Sequence, residues 1–252
     1  MAEAQKVALV TGASSGIGQA SALELARRGY EVAIHYFKNE AGARETFEQI
    51  RAVGGGRARV YAADVSEPDQ ASHLVGEVLA DFGHLDALVN NAGSLVERKL
   101  LAEMDYDLWR RVMALNLDSV FLITRAVLPR MIQQRSGSIV NVASIAGRNG
   151  GGPGAAAYAT AKGALITLTK GMAKELIASG IRVNCINPGV ITTPFHERFS
   201  SKELFQKFVS SIPQQRPGTS DEVAKAIAFL VSDDSSHIVG ECLEVNGGML
   251  MD

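Results

Sequence analysis

In the segment Tyr158-Ala-Thr-Ala-Lys162 a phenol and an ammonium stand four residues apart, a spacing that suits acid–base chemistry. Positions i and i+4 share a face of a helix, so the two groups meet. A tyrosine hydroxyl titrates at ~10 and is a sluggish proton donor or acceptor at neutral pH. A neighbouring ammonium favours the phenolate, and a fall of roughly two to three in pKa, about 1.4 kcal/mol for each, would bring Tyr158 to where a general acid/base is most effective. Taken alone the pair also reads as an ordinary exposed couple. Its context favours chemistry, because it opens a helix fourteen residues after Ser144, a serine at the end of an apolar run. Between them lies Gly147-Arg-Asn-Gly-Gly-Gly-Pro-Gly154, which reads as a long loop into the crevice rather than an interdomain linker.

The elements that must hold these groups alternate regularly. KVALV, EVAIHY, RARVYA, ALVN, SIVNVAS, IRVNCIN and CLEVN read as strands,. Apolar spacing predicts helices over 18–28, 40–53, 68–82, 105–134, 156–179 and 221–231. Ser66 and Ser220 fit N-cap roles, and GGGRA at 54–58 is a helix-to-strand turn. The expected fold is α/β, a single-domain Rossmann-type doubly wound parallel sheet of seven strands with helices on both faces, over residues 1–252. Ligands of such sheets bind in the crevice at the carboxyl ends of the strands.

The first strand runs into Thr11-Gly-Ala-Ser-Ser-Gly-Ile-Gly18 and a helix. Gly12, Gly16 and Gly18 suit a tight turn, close backbone approach to a pyrophosphate and close helix–strand packing, with the helix N-terminus facing the phosphates. The spacing is G-x-x-x-G-x-G instead of the common G-x-G-x-x-G. With Asn90-Asn-Ala-Gly93, Ser144, Tyr158 and Lys162, and Asn187-Pro-Gly-Val190 following in order, the sequence resembles the classical short-chain dehydrogenase/reductase family from Val7 to Gly248.

That resemblance implies a nicotinamide cofactor and hydride transfer between it and a carbonyl or secondary alcohol carbon. It implies a tetrad in which Tyr158 moves the proton, Ser144 donates to the substrate oxygen, Lys162 also holds the nicotinamide ribose, and Asn116 holds a water in a proton relay to the lysine. Read from its helix alone, Asn116 is equally a buried amide bonded to nearby backbone. Ser14, Ser15 and Ile17 join the glycines around the phosphates, and Asp64 with Val65 meets the adenine. Asn90, Ala92 and Gly93 line the ribose and hold neighbouring strands; Pro188, Gly189, Ile191 and Thr192 hold the carboxamide and a phosphate. Family members often have one residue fewer between this serine and tyrosine, which makes the glycine loop a place for specificity.

NADP(H) is expected over NAD(H). Tyr36 stands where NAD-preferring relatives carry an acid, and Lys38 with His35 offers positive charge to a 2′-phosphate; Ser15, where many NADP-preferring relatives carry Arg or Lys, weighs the other way. Residues 191–213, with Phe195, Phe199, Phe205 and Phe208, read as an amphipathic lid. Glu97, Arg148, Asn149, His196 and Arg198 are placed at the substrate rim. Among relatives the pattern is closest to 3-oxoacyl-carrier-protein reductases. Arg130 matches one of their carrier-facing arginines, while Ser179 stands where a second is expected, so a small ketone, keto acid, sugar or polyol fits at least as well. A catalytically silent dinucleotide-binding sensor is the competing class.

A net charge of −2 gives no nucleic-acid or membrane surface, and neither partner is expected,. No metal is expected. Cys185 and Cys242 sit in apolar runs without metal or disulfide spacing and read as buried thiols,. MAEAQKVALVTG lacks a signal-peptide core, and no run approaches the ~18 apolar residues of a membrane span. A reducing, cytoplasmic setting is the expectation. The helices at 105–134 and 156–179 and the C-terminal VNGGMLMD resemble surfaces through which family members form homotetramers.

Overall fold

The computed structural model describes residues 5–251; Met1–Ala4 and Asp252, the ends of the two terminal stretches discussed above, lie outside the described residues. The elements in order are β1 (Val7–Val10), α1 (Gly16–Arg27), β2 (Glu31–Tyr36), α2 (Glu40–Ala52), β3 (Ala58–Ala62), α3 (Pro68–Phe82) and β4 (Ala87–Asn90). There follow α4 (Tyr106–Met113), α5 (Ser119–Gln134), β5 (Gly137–Val142), α6 (Ala146–Asn149), α7 (Ala156–Leu176) and β6 (Ile181–Pro188). The chain ends with β7 (Ile191–Thr192), α8 (Pro194–Phe199), α9 (Lys202–Ser210), β8 (Gly218–Thr219), α10 (Ser220–Val231) and β9 (Cys242–Val245).

All seven expected strands form one parallel sheet in the order β3-β2-β1-β4-β5-β6-β9. Period-two alternation divides their side chains between two cores. Ala8, Val10, Val32 and Ile34 pack against α1, α2 and α10. Val7, Leu9, Leu88 and Ile139 pack against α3, α5 and α7 on the other face. Strand order reverses between β1 and β4, so the loops that leave these strands diverge and open a crevice above them,.

A chain of side-chain amides crosses the second core. Asn90 Nδ2 donates to Asn141 Oδ1 (2.9 Å) and Thr124 Oγ1 (3.1 Å), and Asn141 Nδ2 donates to Thr169 Oγ1 (2.9 Å). These bonds lock β4 and β5 to α5 and α7 and fix the height of α7 against the sheet. Buried polar groups are retained only when paired in this way.

Several local expectations are corrected. α1 begins at Gly16, two residues early, because the glycine turn feeds directly into helical backbone. Ser66 does not cap α3: Glu67 is the N-cap residue, and the Ser66 hydroxyl donates to Asp64 Oδ1 (2.5 Å). Thr219, not Ser220, caps α10, in a capping box with Glu222,. The helix expected over 105–134 contains a π turn at Ala114–Asp118. By length and composition Tyr106–Gln134 is also long and apolar enough to cross a membrane, contrary to expectation. Its apolar stripe, Leu108, Val112, Val120, Ile123, Val127 and Met131, is instead buried inside this fold.

Candidate active site

At the carboxyl end of β1 the chain turns through Gly12 at φ +65°, a conformation that favours glycine,. The Gly12 N–H donates to His35 Nδ1 (3.1 Å), and His35 Nε2 pairs with Ala63 O (3.1 Å). Burial pulls His35 down to about 4, so it is neutral and braces the turn; it does not supply the positive charge expected of it,. Gly18 lies so close beneath the turn that a Cβ there would sit 2.3 Å from Gly12 O. No side chain caps the first turn of α1, and Ser14, Ser15, Gly16 and Ile17 line a cavity of about 710 Å³. A glycine cradle at a helix N-terminus fits a pyrophosphate.

Asp64, Val65, Ala92 and Gly93 also line this cavity. Four assigned cofactor residues do not. Asn90 is turned into the sheet, and it is Asn91 whose amide donates to Thr11 O (2.9 Å) and Gly12 O (3.2 Å). Tyr36 pairs with Ala62 as the last residue of β2 and packs on the core, so Phe37, Lys38 and Asn39 form the wall there. Thr192 pairs with Thr219 and faces solvent, leaving Thr193 beside Pro188, Gly189 and Ile191 at the wall. Gly18 lies beneath the cradle, in the close helix–strand packing expected of it.

Ser144, Tyr158 and Lys162 come together on one wall of the same cavity. The serine follows β5, and the other two stand in the first turns of α7, whose alanine-rich start favours helix and keeps its surface slim,. Gly147 and Gly163 bring α6 and α7 into backbone contact; a Cβ on Gly147 would lie 2.7 Å from Gly163 N. Lys162 Nζ donates to Val142 O (2.7 Å) and lies 5.7 Å from the Tyr158 ring centre. Asn116, inside the π turn, lies behind Gly93, where a Cβ would meet Asn116 Oδ1 at 2.8 Å and Lys162 Nζ at 3.2 Å. Its amide donates to Ser94 O (2.7 Å) and Val112 O (2.8 Å) and accepts from Ser94 N (3.0 Å). It therefore has the backbone bonds of a structural amide and a place next to the lysine.

The electrostatics overturn one expectation. Enclosure by protein pushes the Tyr158 phenol up to about 12, with the Ser144 hydroxyl pulling the other way, and the same enclosure pulls Lys162 down to about 8,. In this structure desolvation sets the direction of the Tyr158 shift, and the expected lowering by the Lys162 ammonium, which is bonded to Val142 O, does not prevail.

Beyond Tyr158 the cavity is roofed by α8 and α9. Phe195 packs on the Tyr158 ring at 5.7 Å and on His196 at 5.4 Å. His196 is held neutral, at about 4, by burial and by nearby Arg98. Of the rim residues expected, Asn149, His196 and Arg198 line the cavity; Glu97 is exposed, and Arg148 pairs with Glu244 (2.8 Å). Phe195 and Phe208 line it, whereas Phe199 and Phe205 pack behind. Sequence reasoning passed over Arg98, whose Nε donates to Phe199 O (2.9 Å) and Nη1 to Pro153 O (2.6 Å). It sits in a loop turned by Val96 at φ +63°, a strained backbone for a β-branched residue,. The glycines at 150, 151 and 154 all have positive φ, which gives the opposite loop its tight path.

A doubly wound sheet with a glycine cradle at its switch point, and a serine, tyrosine and lysine on one wall of the same crevice, defines a dinucleotide-dependent oxidoreductase. Residues 12–250 match the family model described as enoyl-(acyl carrier protein) reductase. The chain is 41% identical over 246 residues to a 3-oxoacyl-[acyl-carrier-protein] reductase of Staphylococcus aureus, covering 98% of each. Among solved structures, NAD+-bound xylitol dehydrogenase matches at TM-score 0.88 and 36% identity, covering 96% of this chain and 98% of that one. Levodione reductase matches at TM-score 0.92 and 31% identity, covering 96% of both. The chain belongs to the short-chain dehydrogenase/reductase family and is an NAD(P)-dependent oxidoreductase.

Proposed function

We propose that this protein interconverts a carbonyl and a secondary alcohol with NADP(H), Tyr158 moving the proton. The observation that carries the reading is one continuous cavity joining the glycine cradle to Ser144 and Tyr158. The backbone of residues 12–17 would hold the phosphates, Asp64 and Val65 the adenine, Ala92, Gly93 and Lys162 the ribose, and residues 188–191 the carboxamide. The bound nicotinamide supplies the hydride in reduction and accepts it in oxidation. Tyr158 gives its proton to the carbonyl oxygen as the hydride reaches the carbon, and takes it back in the reverse direction. Ser144 donates to the same oxygen and stabilises the charge that develops there. Lys162 resupplies the phenol, and Asn116 beside it orders that relay. α8 and α9 close over the pair as a lid.

Assay of the purified protein with reduced and oxidised forms of both cofactors, against keto acids, sugars, polyols and oxoacyl thioesters, tests the reaction class. The cavity near the end of β2 is lined by Phe37, Lys38 and Asn39 without a carboxylate among them. A 2′-phosphate paired with Lys38 should make kcat/KM roughly tenfold higher with NADPH than with NADH. A tenfold preference for NADH would overturn that part of the proposal.

The pH dependence follows from the two shifts. Tyr158, its pKa raised, keeps its proton to about 12, while Lys162, its pKa lowered, keeps its charge only below about 8. Reduction draws on the doubly protonated pair, which is present below the lower value and lost as pH rises through it. The rate of carbonyl reduction is therefore expected to be flat through neutral pH and to fall above about 8, while alcohol oxidation gains. A reduction rate that climbs across that range refutes the assignment.

A second reading, reduction of 3-oxoacyl thioesters on a carrier protein, is favoured by the 41% identity to the Staphylococcus aureus enzyme. Arg130 lies on α5, its Nη1 donating to Gln133 Oε1 (3.1 Å), and Ser179 offers no second cation to an acidic carrier. Turnover of carrier-bound over small substrates would select this reading. Assembly into a homotetramer is part of the proposal, supported by exposed Tyr106, Phe121 and Ile132 on α4 and α5, as is a reducing cytoplasmic setting, supported by the free buried thiols Cys185 and Cys242.

A further inference from the structure

We propose, resting on the oxidoreductase reading above, that Arg98 selects a substrate that carries a carboxylate, so that the protein acts on a keto acid and its hydroxy acid. The substrate half of the cavity has an apolar body, to which Leu95, Ile145, Phe195 and Phe208 contribute, and Arg98 in its wall. Carbonyls of Pro153 and Phe199 fix the guanidinium through Nη1 and Nε. Its second terminal nitrogen makes no hydrogen bond among the described residues. No carboxylate lies within ion-pair distance of it among them either; neighbouring Glu97 is directed to Lys99 at 3.8 Å. Burial alone moves its basicity, with no acid opposing.

The wider lining has the same sign. Among the described residues the only carboxylate along the cavity is Asp64, at the proposed adenine end, whereas Arg98, Arg198 and Lys162 line the reacting half. A partly desolvated cation without a counter-charge is unfavourable, and a bound anion offsets that cost with a charge-assisted, directional hydrogen bond. Low-dielectric walls of one sign also concentrate oppositely charged substrate. His196, neutral beside Arg98, adds a hydrogen-bonding group and no competing charge. The field thus matches an anionic compound with a short apolar chain better than a neutral sugar or a thioester.

The test compares 2-oxo and 3-oxo acids of four to eight carbons with their methyl esters, using NADPH and NADH, on the wild type, Arg98→Met and Arg98→Lys. For the wild type, kcat/KM is expected to be at least about tenfold higher for the acid of a pair. Arg98→Met should raise KM for the acid at least about tenfold and leave the ester and the nucleotide within about twofold, with part of the loss recovered in Arg98→Lys. Esters turned over as well as acids by the wild type would overturn the proposal, a comparison that needs no variant. Equal losses on acid and ester in Arg98→Met would also overturn it, leaving Arg98 as a fastener between loop and lid. Absence of turnover on every carbonyl compound with either cofactor would defeat the underlying oxidoreductase assignment instead.

Discussion

Tyr158→Phe is expected to lower turnover by about a thousandfold or more while leaving the fold and nucleotide binding in place. The substitution removes one oxygen and nothing else. The ring keeps its contact with Phe195 and its place against Leu108, Val112 and Ala157. Lys162 keeps its bond to Val142 O, which does not involve the phenol. On the proposed mechanism, what is lost is the proton for the substrate oxygen, which a hydrogen bond from Ser144 would not replace. Stopped-flow or steady-state rates, paired with calorimetric titration of NADPH, separate the two quantities. A variant that binds nucleotide and turns over unchanged would remove Tyr158 from the mechanism. One that binds nucleotide but loses the turnover of the wild type would support the enzyme reading over the silent sensor.

Gly18→Ala is expected to cost about 3 kcal/mol of stability and to weaken nucleotide binding by roughly a hundredfold. The added methyl would lie 2.3 Å from Gly12 O and 2.5 Å from Asn91 Nδ2. Neither can yield cheaply. Gly12 O belongs to the turn that shapes the phosphate cradle, and the Asn91 amide is the brace that ties that turn to the end of β4. Relief requires α1 to move away from β1, which disturbs the core formed by Ala22, Leu25 and Ala26. Denaturant titration and nucleotide titration on the same preparation check both effects; wild-type values in both would show that the helix can shift without consequence.

The sheet was legible because inner parallel strands, buried on both faces, read as short apolar runs, and their alternation with helical spacing carries through to the partly exposed edge strands β3 and β9,. The wall of Ser144, Tyr158 and Lys162 was legible for a related reason, since a strand end and a helix start leave little freedom in where their residues point. Single-residue register was not. Tyr36 and Thr192 still belong to strands, so pairing decides which way their side chains face, and their successors Phe37 and Thr193 take the wall. The π turn had a signal that was not read. Leu108, Val112, Asn116 and Val120 recur every four residues, a spacing that drifts around a regular helix and stays on one side only where a wider turn absorbs the excess,. Arg98 had none. Its position is set by carbonyls 55 and 101 residues further along the chain, and nothing in a loop of mixed polarity announces such partners.

The two ends of the cavity are built from different materials. Around the glycine cradle the surface is largely main chain and small residues, braced from beneath by His35, Asn91 and Gly18. At the other end, proposed for the substrate, it is largely side chains carried on the loops at 95–98 and 149–152 and on α8 and α9, none of which belongs to the large sheet. Leu95 and Val96 there also pack on the core, and Pro194 borders Gly16, but Asn149, Arg198 and Phe208 line the cavity without belonging to either core beside the sheet. Substrate range is thus expected to be tunable at side chains such as Asn149, Arg198 and Phe208, whereas reshaping the glycine-cradle end must contend with the backbone itself.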